Sequence, residues 1–98
     1  GQRTLQFETY VMPAPEENAE QLYEHVLRRN ESLVGVHFSI GIEDAIFLRG
    51  ELPLRMVDED ELDRVVGTLY ATVERIFPTI IRIGFASHFA DGVSAKRQ

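Results

Sequence analysis

Residues 34–42, VGVHFSIGI, alternate more strictly between apolar and other residues than any other part of the chain. The apolar positions of this alternation are Val34, Val36, Phe38, Ile40 and Ile42. A period of two is typical of a strand with one buried face, and a slip of one residue would expose all five apolar groups. The pattern therefore predicts a strand whose register is firmly set.

A second strand is predicted directly after this one. Glu43-Asp44 is a short polar turn, and Ala45–Leu54 then continues with Ile46, Leu48 and Leu52 on one side. Two such runs joined by a short turn predict an antiparallel hairpin. Pro53 cannot donate a backbone hydrogen bond, so the far end of this strand is expected to be unpaired or at an edge.

A third strand is predicted near the start of the chain. Thr4–Met12 alternates with period two, and Pro13 and Pro15 follow it closely. Leu5, Phe7, Thr9 and Val11 face one way and Gln6, Glu8 and Tyr10 the other, so the strand is expected to be half-buried. Because proline lacks the donor that a sheet ladder needs, the strand is expected to end at Met12.

Two stretches have the spacing of amphipathic helices. Glu16–Asn30 places acidic residues in its first turn and Arg28 and Arg29 in its last, which suits the helix dipole. Asp58–Phe85 begins with Asp58 and Glu61 in the spacing of a capping box, and its apolar period lasts over five turns. Pro78 predicts a kink or a break near Phe77.

The order of these elements predicts the fold class. Strand, helix, strand, strand and helix (β-α-β-β-α) give an α+β domain in which helices pack on an antiparallel sheet of at least three strands. The chain has 98 residues, enough for one domain, placed at residues 1–90, with residues 91–98 expected to form a flexible tail.

Charge and composition exclude several function classes. Ten Lys+Arg against sixteen Asp+Glu give a formal net charge of −6, the wrong sign for sustained binding of nucleic acid or anionic lipid. The chain contains no cysteine, so disulfides, thiolate metal sites and cysteine nucleophiles are excluded. No apolar run reaches the roughly 18–20 residues of a membrane span.

No motif for catalysis or metal binding stands out. His25, His37 and His88 have no ligand spacing among them, and the acidic run from Asp58 to Glu61 suits a helix start better than a calcium loop. The serines lack a nucleophile elbow, and the glycines form no phosphate loop. We therefore expect no enzyme activity, no cofactor and no metal.

The last predicted helix has more apolar residues than packing on the sheet accounts for. The helix is apolar over much of its circumference, more than one thin sheet covers, so a second surface is expected to meet it. That surface is a second copy of the chain, a different protein, or an element preceding the first strand. Aromatic residues dominate interface energies. The candidate contact residues are Phe7, Tyr10, Phe47, Tyr70 and Phe77.

Several of these segments resemble one bacterial family. The resemblance extends from Leu5 to Phe85 and is to the YbjN family, whose members are labelled as candidate regulators of sensory transduction. The matching segments are Leu27-Arg-Arg-Asn30, Gly35-Val-His-Phe-Ser-Ile40, Ile46-Phe-Leu-Arg-Gly-Glu-Leu-Pro-Leu54, Glu61-Leu-Asp-Arg-Val-Val-Gly67 and Ile83-Gly-Phe85.

The resemblance implies a fold similar to that of type III secretion chaperones. It also implies a cytoplasmic, non-enzymatic domain that forms a homodimer and binds other proteins. The family's domain normally opens with a helix and one or two strands ahead of the segment that resembles Thr4–Met12, so we expect that part to be missing here. No catalytic or ligand residue is carried over from the family.

Two other hypotheses stay open. One is a regulatory domain that senses a small molecule bound between the sheet and a helix near His37. The other is a purely structural subdomain of a longer polypeptide.

Overall fold

A computed structural model of the chain describes residues 3–89. The predicted tail at residues 91–98 lies outside this range. The strands and helices are β1 (Thr4–Met12), α1 (Ala19–Asn30), β2 (Val36–Ile40), β3 (Ile46–Pro53) and α2 (Glu59–Gly84), with short 3₁₀ turns at Ile42–Asp44 and Leu54–Met56. The predicted order β-α-β-β-α and the α+β class are confirmed.

The three strands form one antiparallel sheet in the order β1-β3-β2. The predicted hairpin is β2 and β3, with Phe38 opposite Leu48. β1 takes the other side of β3, with Phe7 opposite Gly50. Its register shifts between Tyr10 and Met12, a bulge that leaves both Val11 and Met12 buried.

Both helices cover the same face of the sheet. The side chains that are fully buried come from β1, α1, β3 and α2 and belong to one cluster, so a single core lies between the layers. They are Met12, Leu22, Ile46, Leu48 and Ile80. α1 packs against β2, α2 packs against β1, and the two helices contact each other. Neither helix covers the opposite face of the sheet.

The start of α1 lies three residues later than predicted. The N–H groups of Glu16 and Glu17 both donate to the carbonyl oxygen of Gly84, at 2.9 and 3.0 Å. Asn18 then takes a left-handed conformation (φ 53°), and its side-chain amide donates to the carbonyl oxygen of Ile83. These residues therefore complete the C-terminal end of α2, which leaves its last carbonyls without partners in its own helix.

Of the kink or break predicted near Phe77, the break is wrong, and nothing in the helix bounds tests the kink. α2 is one helix of 26 residues that contains Pro78. Proline removes one backbone hydrogen bond, but Pro78 and Glu74, four residues earlier, are both exposed, so water can reach the free carbonyl. The predicted cap is present, because Asp58 Oδ1 accepts from the N–H of Glu61 at 2.8 Å.

β2 is shorter than the predicted strand over residues 34–42. Gly35 has a positive φ of 81°, and Glu43 and Asp44 have positive φ values of 57° and 60° in the turn. The left-handed conformation of Gly35 precedes the first residue of the ladder, Val36, and the 3₁₀ turn at Ile42–Asp44 follows its last residue, Ile40.

Candidate interaction surfaces

An apolar stripe runs along α2. It consists of Leu62, Val66, Tyr70 and Phe77, all exposed. Val66 is 62% exposed and Tyr70 67%, although the same helix buries Ile76 and Ile80 in the core. The hydroxyl of Tyr70 donates to Glu74 Oε2 at 3.0 Å, and this bond together with the nearby negative charge raises the pKa of Tyr70.

The apolar stripe faces away from α1. Thr72, Ile76 and Thr79 line a cavity on the side of α2 that faces α1. At 3.6 residues per turn, Tyr70 and Phe77 lie roughly 150° around the helix from Thr72 and Thr79. Since α1 lies over β2 and α2 lies over β1, the stripe is turned toward the β1 side of the domain.

The outer edge of β1 is open among residues 3–89. The N–H of Leu54 donates to the carbonyl of Arg3, one residue pair before Thr4 and Pro53. Hydrogen-bonded and non-bonded pairs alternate in an antiparallel ladder. The backbone N–H and C=O groups that hydrogen-bond to β3 are therefore those of Leu5, Phe7 and Thr9. The residues with outward backbone groups are Thr4, Gln6, Glu8 and Tyr10.

The outer edge of β2 differs, because a side chain blocks its centre. The N–H of Phe38 donates to Asn30 Oδ1 at 2.7 Å, and Asn30 Nδ2 donates to the carbonyl of Phe38 at 3.2 Å. The carboxamide thus takes the place that the peptide group of a neighbouring strand would take. β1 is left as the long unprotected edge of the described sheet.

The helix-free face of the sheet carries a compact aromatic and charged cluster. The rings of Tyr10 and Phe47 meet edge to face, with centroids 5.7 Å apart. The guanidinium carbon of Arg49 lies 4.8 Å from the Phe47 centroid, and Arg49 Nε lies 2.9 Å from Glu8 Oε1. Phe47 is consequently only 9% exposed, whereas Tyr10 is 57% exposed.

The five predicted contact residues therefore fall in three places. Tyr70 and Phe77 share the apolar stripe, and Tyr10 and Phe47 touch each other on the helix-free face. Phe7 is half-buried and packs against the core from β1. Sequence reasoning missed Leu62 and Val66, although both belong to the apolar period of the helix.

The small-molecule site expected between the sheet and a helix does not lie at His37, which instead lines a cavity of about 600 Å³ on the helix-free face. His37 pairs with Arg49 across β2 and β3 and is exposed on the helix-free face, because its neighbours Val36 and Phe38 point into the core. A cavity of about 400 Å³ does lie between α1, α2 and β2, but it is lined by His25 and not by His37.

His88, the third histidine of the chain, contributes to the contacts that hold the C-terminal end of α2. His88 Nε2 lies 2.9 Å from Glu16 Oε1. Ser87 donates to Glu17 Oε2 from its hydroxyl at 2.6 Å and from its N–H at 2.8 Å, and these bonds lower the pKa of Glu17. This part of the chain is therefore a polar clamp between the β1–α1 loop and the segment after α2.

Within residues 3–89, no group of three or more His, Asp or Glu side chains is placed to hold a metal ion. No helix in the same range combines the length and the apolar character needed to cross a membrane.

The described residues thus form a two-layer α+β domain with an uncovered flank on one helix and an open edge on one strand. Residues 1–82 match the YbjN family, described as "Putative bacterial sensory transduction regulator". The chain belongs to this family.

Mycobacterial relatives are similar to the chain over most of its length. An uncharacterised protein of Mycobacterium tuberculosis strain H37Rv is 37% identical over 87 residues, which cover 89% of this chain and 48% of the relative. An uncharacterised protein of Mycobacterium leprae is also 37% identical over 87 residues, covering 89% of this chain and 47% of that protein. The chain spans about half the length of these relatives.

Proposed function

We propose that the chain is a non-enzymatic protein-interaction module, chaperone-like in the way it holds partner segments, that forms a homodimer in the cytoplasm. The observation that supports this function is the apolar stripe on α2. Large apolar side chains that lie side by side on a surface are typical of sites where proteins meet. Tyrosine at the centre of such a patch is among the residues that contribute most to binding.

A second copy of the chain is the proposed occupant of the stripe. The argument comes from the position of the open edge, because β1 and the stripe lie on the same side of the domain. Antiparallel pairing of β1 with β1 of a second copy, about a twofold axis normal to the sheet, continues the sheet to six strands. The same rotation keeps both α2 helices on one face and turns their stripes toward each other.

Two further considerations support the proposal. Asn30 blocks the alternative edge at β2, so strand addition favours β1. The family's description as a regulator of sensory transduction is consistent with a role in binding other proteins. The non-enzymatic part rests on the sequence, which has no cysteine and no recognised nucleophile motif.

Light scattering coupled to size exclusion tests the proposal. The wild-type chain is expected to have the mass of a dimer at high micromolar concentration. Val66→Asp, Tyr70→Asp and Phe77→Asp place a charge in the stripe and are expected to shift the mass toward the monomer. Ala71→Asp adds the same charge to an exposed position on the far side of α2, so it is the matched control.

Circular dichroism on each variant checks that the fold is kept. A wild-type chain that stays monomeric at high micromolar concentration would remove the homodimer. A dimer whose mass is unchanged in all three stripe variants, with folding intact, would show that the interface lies elsewhere.

A further inference from the structure

The cavity between the two helices has an unusual lining for this chain. It has a volume of about 400 Å³ and lies where α1 and α2 meet over β2. Phe38, Leu33 and Ile76 supply its apolar part. Its polar residues are His25, Arg29, Ser32, Thr72, Arg75 and Thr79.

Charge is distributed unevenly between this cavity and the rest of the chain. Acidic residues outnumber basic ones by sixteen to ten in the sequence, yet the lining contains two arginines and no carboxylate. Arg29 enters from α1 and Arg75 from α2, so the positive charge is brought together by helix packing. β2 contributes only the ring of Phe38.

Three arginines outside the cavity are already engaged by carboxylates. Arg28 pairs with Glu24, Arg64 with Glu61 and Arg49 with Glu8. Within residues 3–89, neither Arg29 nor Arg75 forms an ion pair with a carboxylate.

The sequence explains the difference. On a helix, partners lie three or four residues away. Around Arg29 these positions hold His25, Val26, Ser32 and Leu33, and around Arg75 they hold Ala71, Thr72, Pro78 and Thr79. No acidic residue stands at any of these positions, so each guanidinium keeps its donors for another group.

His25 lines the cavity as a hydrogen-bonding group. Partial burial lowers the pKa of His25, and the positive charge of Arg29 lowers it further. The imidazole therefore loses its proton more readily than an exposed histidine and remains able to donate one ring N–H. The hydroxyl of Ser32 already donates to the carbonyl of Arg29 at 3.1 Å, which leaves Thr72 and Thr79 as the available hydroxyl donors.

We infer that this cavity binds the oxyanion group of a small molecule, a phosphate or a carboxylate, between Arg29 and Arg75. Guanidinium groups match both oxyanions through paired N–H donors. The threonine hydroxyls and His25 supply further donors, and Phe38 offers an apolar floor for the remainder of the ligand. Such a ligand bridges α1 and α2, because each helix contributes one arginine.

This inference does not depend on the proposed dimer, since the apolar stripe lies on the opposite flank of α2. It gives the hypothesis of a small-molecule sensor a location other than the one expected near His37. The cavity is also distinct from the helix-free face, where the guanidinium group of Arg49 already contacts Glu8 and Phe47.

Titration calorimetry with inorganic phosphate and with citrate, each at constant ionic strength in chloride, tests the site. The wild-type chain is expected to bind at least one of them saturably, at a Kd in the millimolar range or below. Arg29→Ala and Arg75→Ala are expected to weaken binding about tenfold or more. Arg28→Ala removes the same charge from the neighbouring residue outside the cavity and is expected to stay within about twofold.

A second readout follows His25 by NMR. The bound oxyanion stabilises the protonated imidazole, so the pKa of His25 is expected to rise when phosphate or citrate is present. Phosphate binding alone would identify a phosphate ligand, and citrate binding alone a carboxylate ligand. Absence of saturable binding of both probes at about 20 mM would overturn the site, as would an equal loss in Arg28→Ala.

Discussion

The carboxamide of Asn30 is bonded to both backbone groups of Phe38, accepting from its N–H at 2.7 Å and donating to its carbonyl at 3.2 Å. Asn30 is the last residue of α1, and Phe38 is the central residue of β2. One side chain therefore ties the end of a helix to the edge of the sheet. It also occupies the position at which another strand would attach.

Asn30→Ala is expected to lower the free energy of unfolding by about 1–2 kcal/mol, because two hydrogen bonds to a partly buried backbone are lost. The freed edge of β2 is also expected to increase aggregation. Urea unfolding measures the first effect and light scattering the second. Ser32→Ala, which removes one exposed bond to Arg29, is the control and is expected to cost less than about 0.5 kcal/mol. Equal stability of both variants would contradict the assigned role.

Two glycines of α2 are expected to respond in opposite ways to the same substitution. A Cβ at Gly84 would lie 2.9 Å from Leu22 Cδ1 and 3.0 Å from Pro15 Cβ, so Gly84→Ala is expected to cost about 1–3 kcal/mol. A Cβ at Gly67 would meet nothing within 4 Å, so Gly67→Ala is expected to gain about 0.5–1 kcal/mol from helix propensity.

Thermal and urea unfolding of the two glycine variants measure these changes. Each serves as the control for the other, since both lie in the same helix. Stabilisation by Gly84→Ala would mean that the β1–α1 loop does not hold the end of α2 closely.

Stability should depend on pH through Glu17. Hydrogen bonds from Ser87 lower the pKa of Glu17, so the folded state favours the carboxylate. This contribution is present above the pKa of an unfolded glutamate, about 4.3, and is lost as the pH falls through the lower folded value. Glu17→Gln is therefore expected to unfold at a lower temperature than the wild type at pH 6, with the difference vanishing in acid.

Glu20→Gln is the matched control, an exposed carboxylate in the first turn of α1. Thermal unfolding between about pH 2 and pH 7 covers the window. A difference between Glu17→Gln and the wild type that stays constant down to the lowest pH would show that the clamp does not depend on the charge of Glu17.

The register of the proposed pairing between two β1 strands can be tested by changing the charge of Gln6. A twofold axis at Phe7 places Gln6 opposite Glu8 of the second copy, whereas an axis at Glu8 would oppose two glutamates. Gln6→Lys then creates two opposite-charge pairs and is expected to strengthen the dimer, and Gln6→Glu is expected to weaken it. Each change is roughly 2- to 30-fold in Kd.

Sedimentation equilibrium at low salt measures these constants. Gln21→Lys and Gln21→Glu, on the exposed surface of α1, change the net charge in the same way and control for it. Weakening by both Gln6 variants would place the axis at Gln6, where the residue meets its own copy. If neither variant changes the Kd, the dimer does not form through the β1 edge.

Local patterns in the sequence predict most of the elements but not all of their ends. Alternation gives β1 its observed bounds, and the cap at Asp58 correctly marks the start of α2. The predictions of helix bounds fail where contacts with another element determine the backbone conformation. Glu16 and Glu17 use their N–H groups on Gly84, and Pro78 stays within a helix whose buried side is held by Ile76 and Ile80.

The candidate sites divide in the same way. The surplus of apolar residues on α2 can be read from their spacing, and Tyr70 and Phe77 are exposed on one stripe. The cavity of Arg29 and Arg75 could not be predicted, because these residues are 46 positions apart in the sequence and meet only through helix packing.

The sequence by itself determined the order of strands and helices, the apolar side of each and the surplus of apolar side chains on α2. These properties depend on residues two to four positions apart, which the periods of strands and helices bring to the same side. Only the tertiary structure decided that β3 lies at the centre of the sheet, that Asn30 blocks β2 while β1 stays open, and that two arginines share a cavity. Such relationships depend on how separate elements pack, and no local period specifies that.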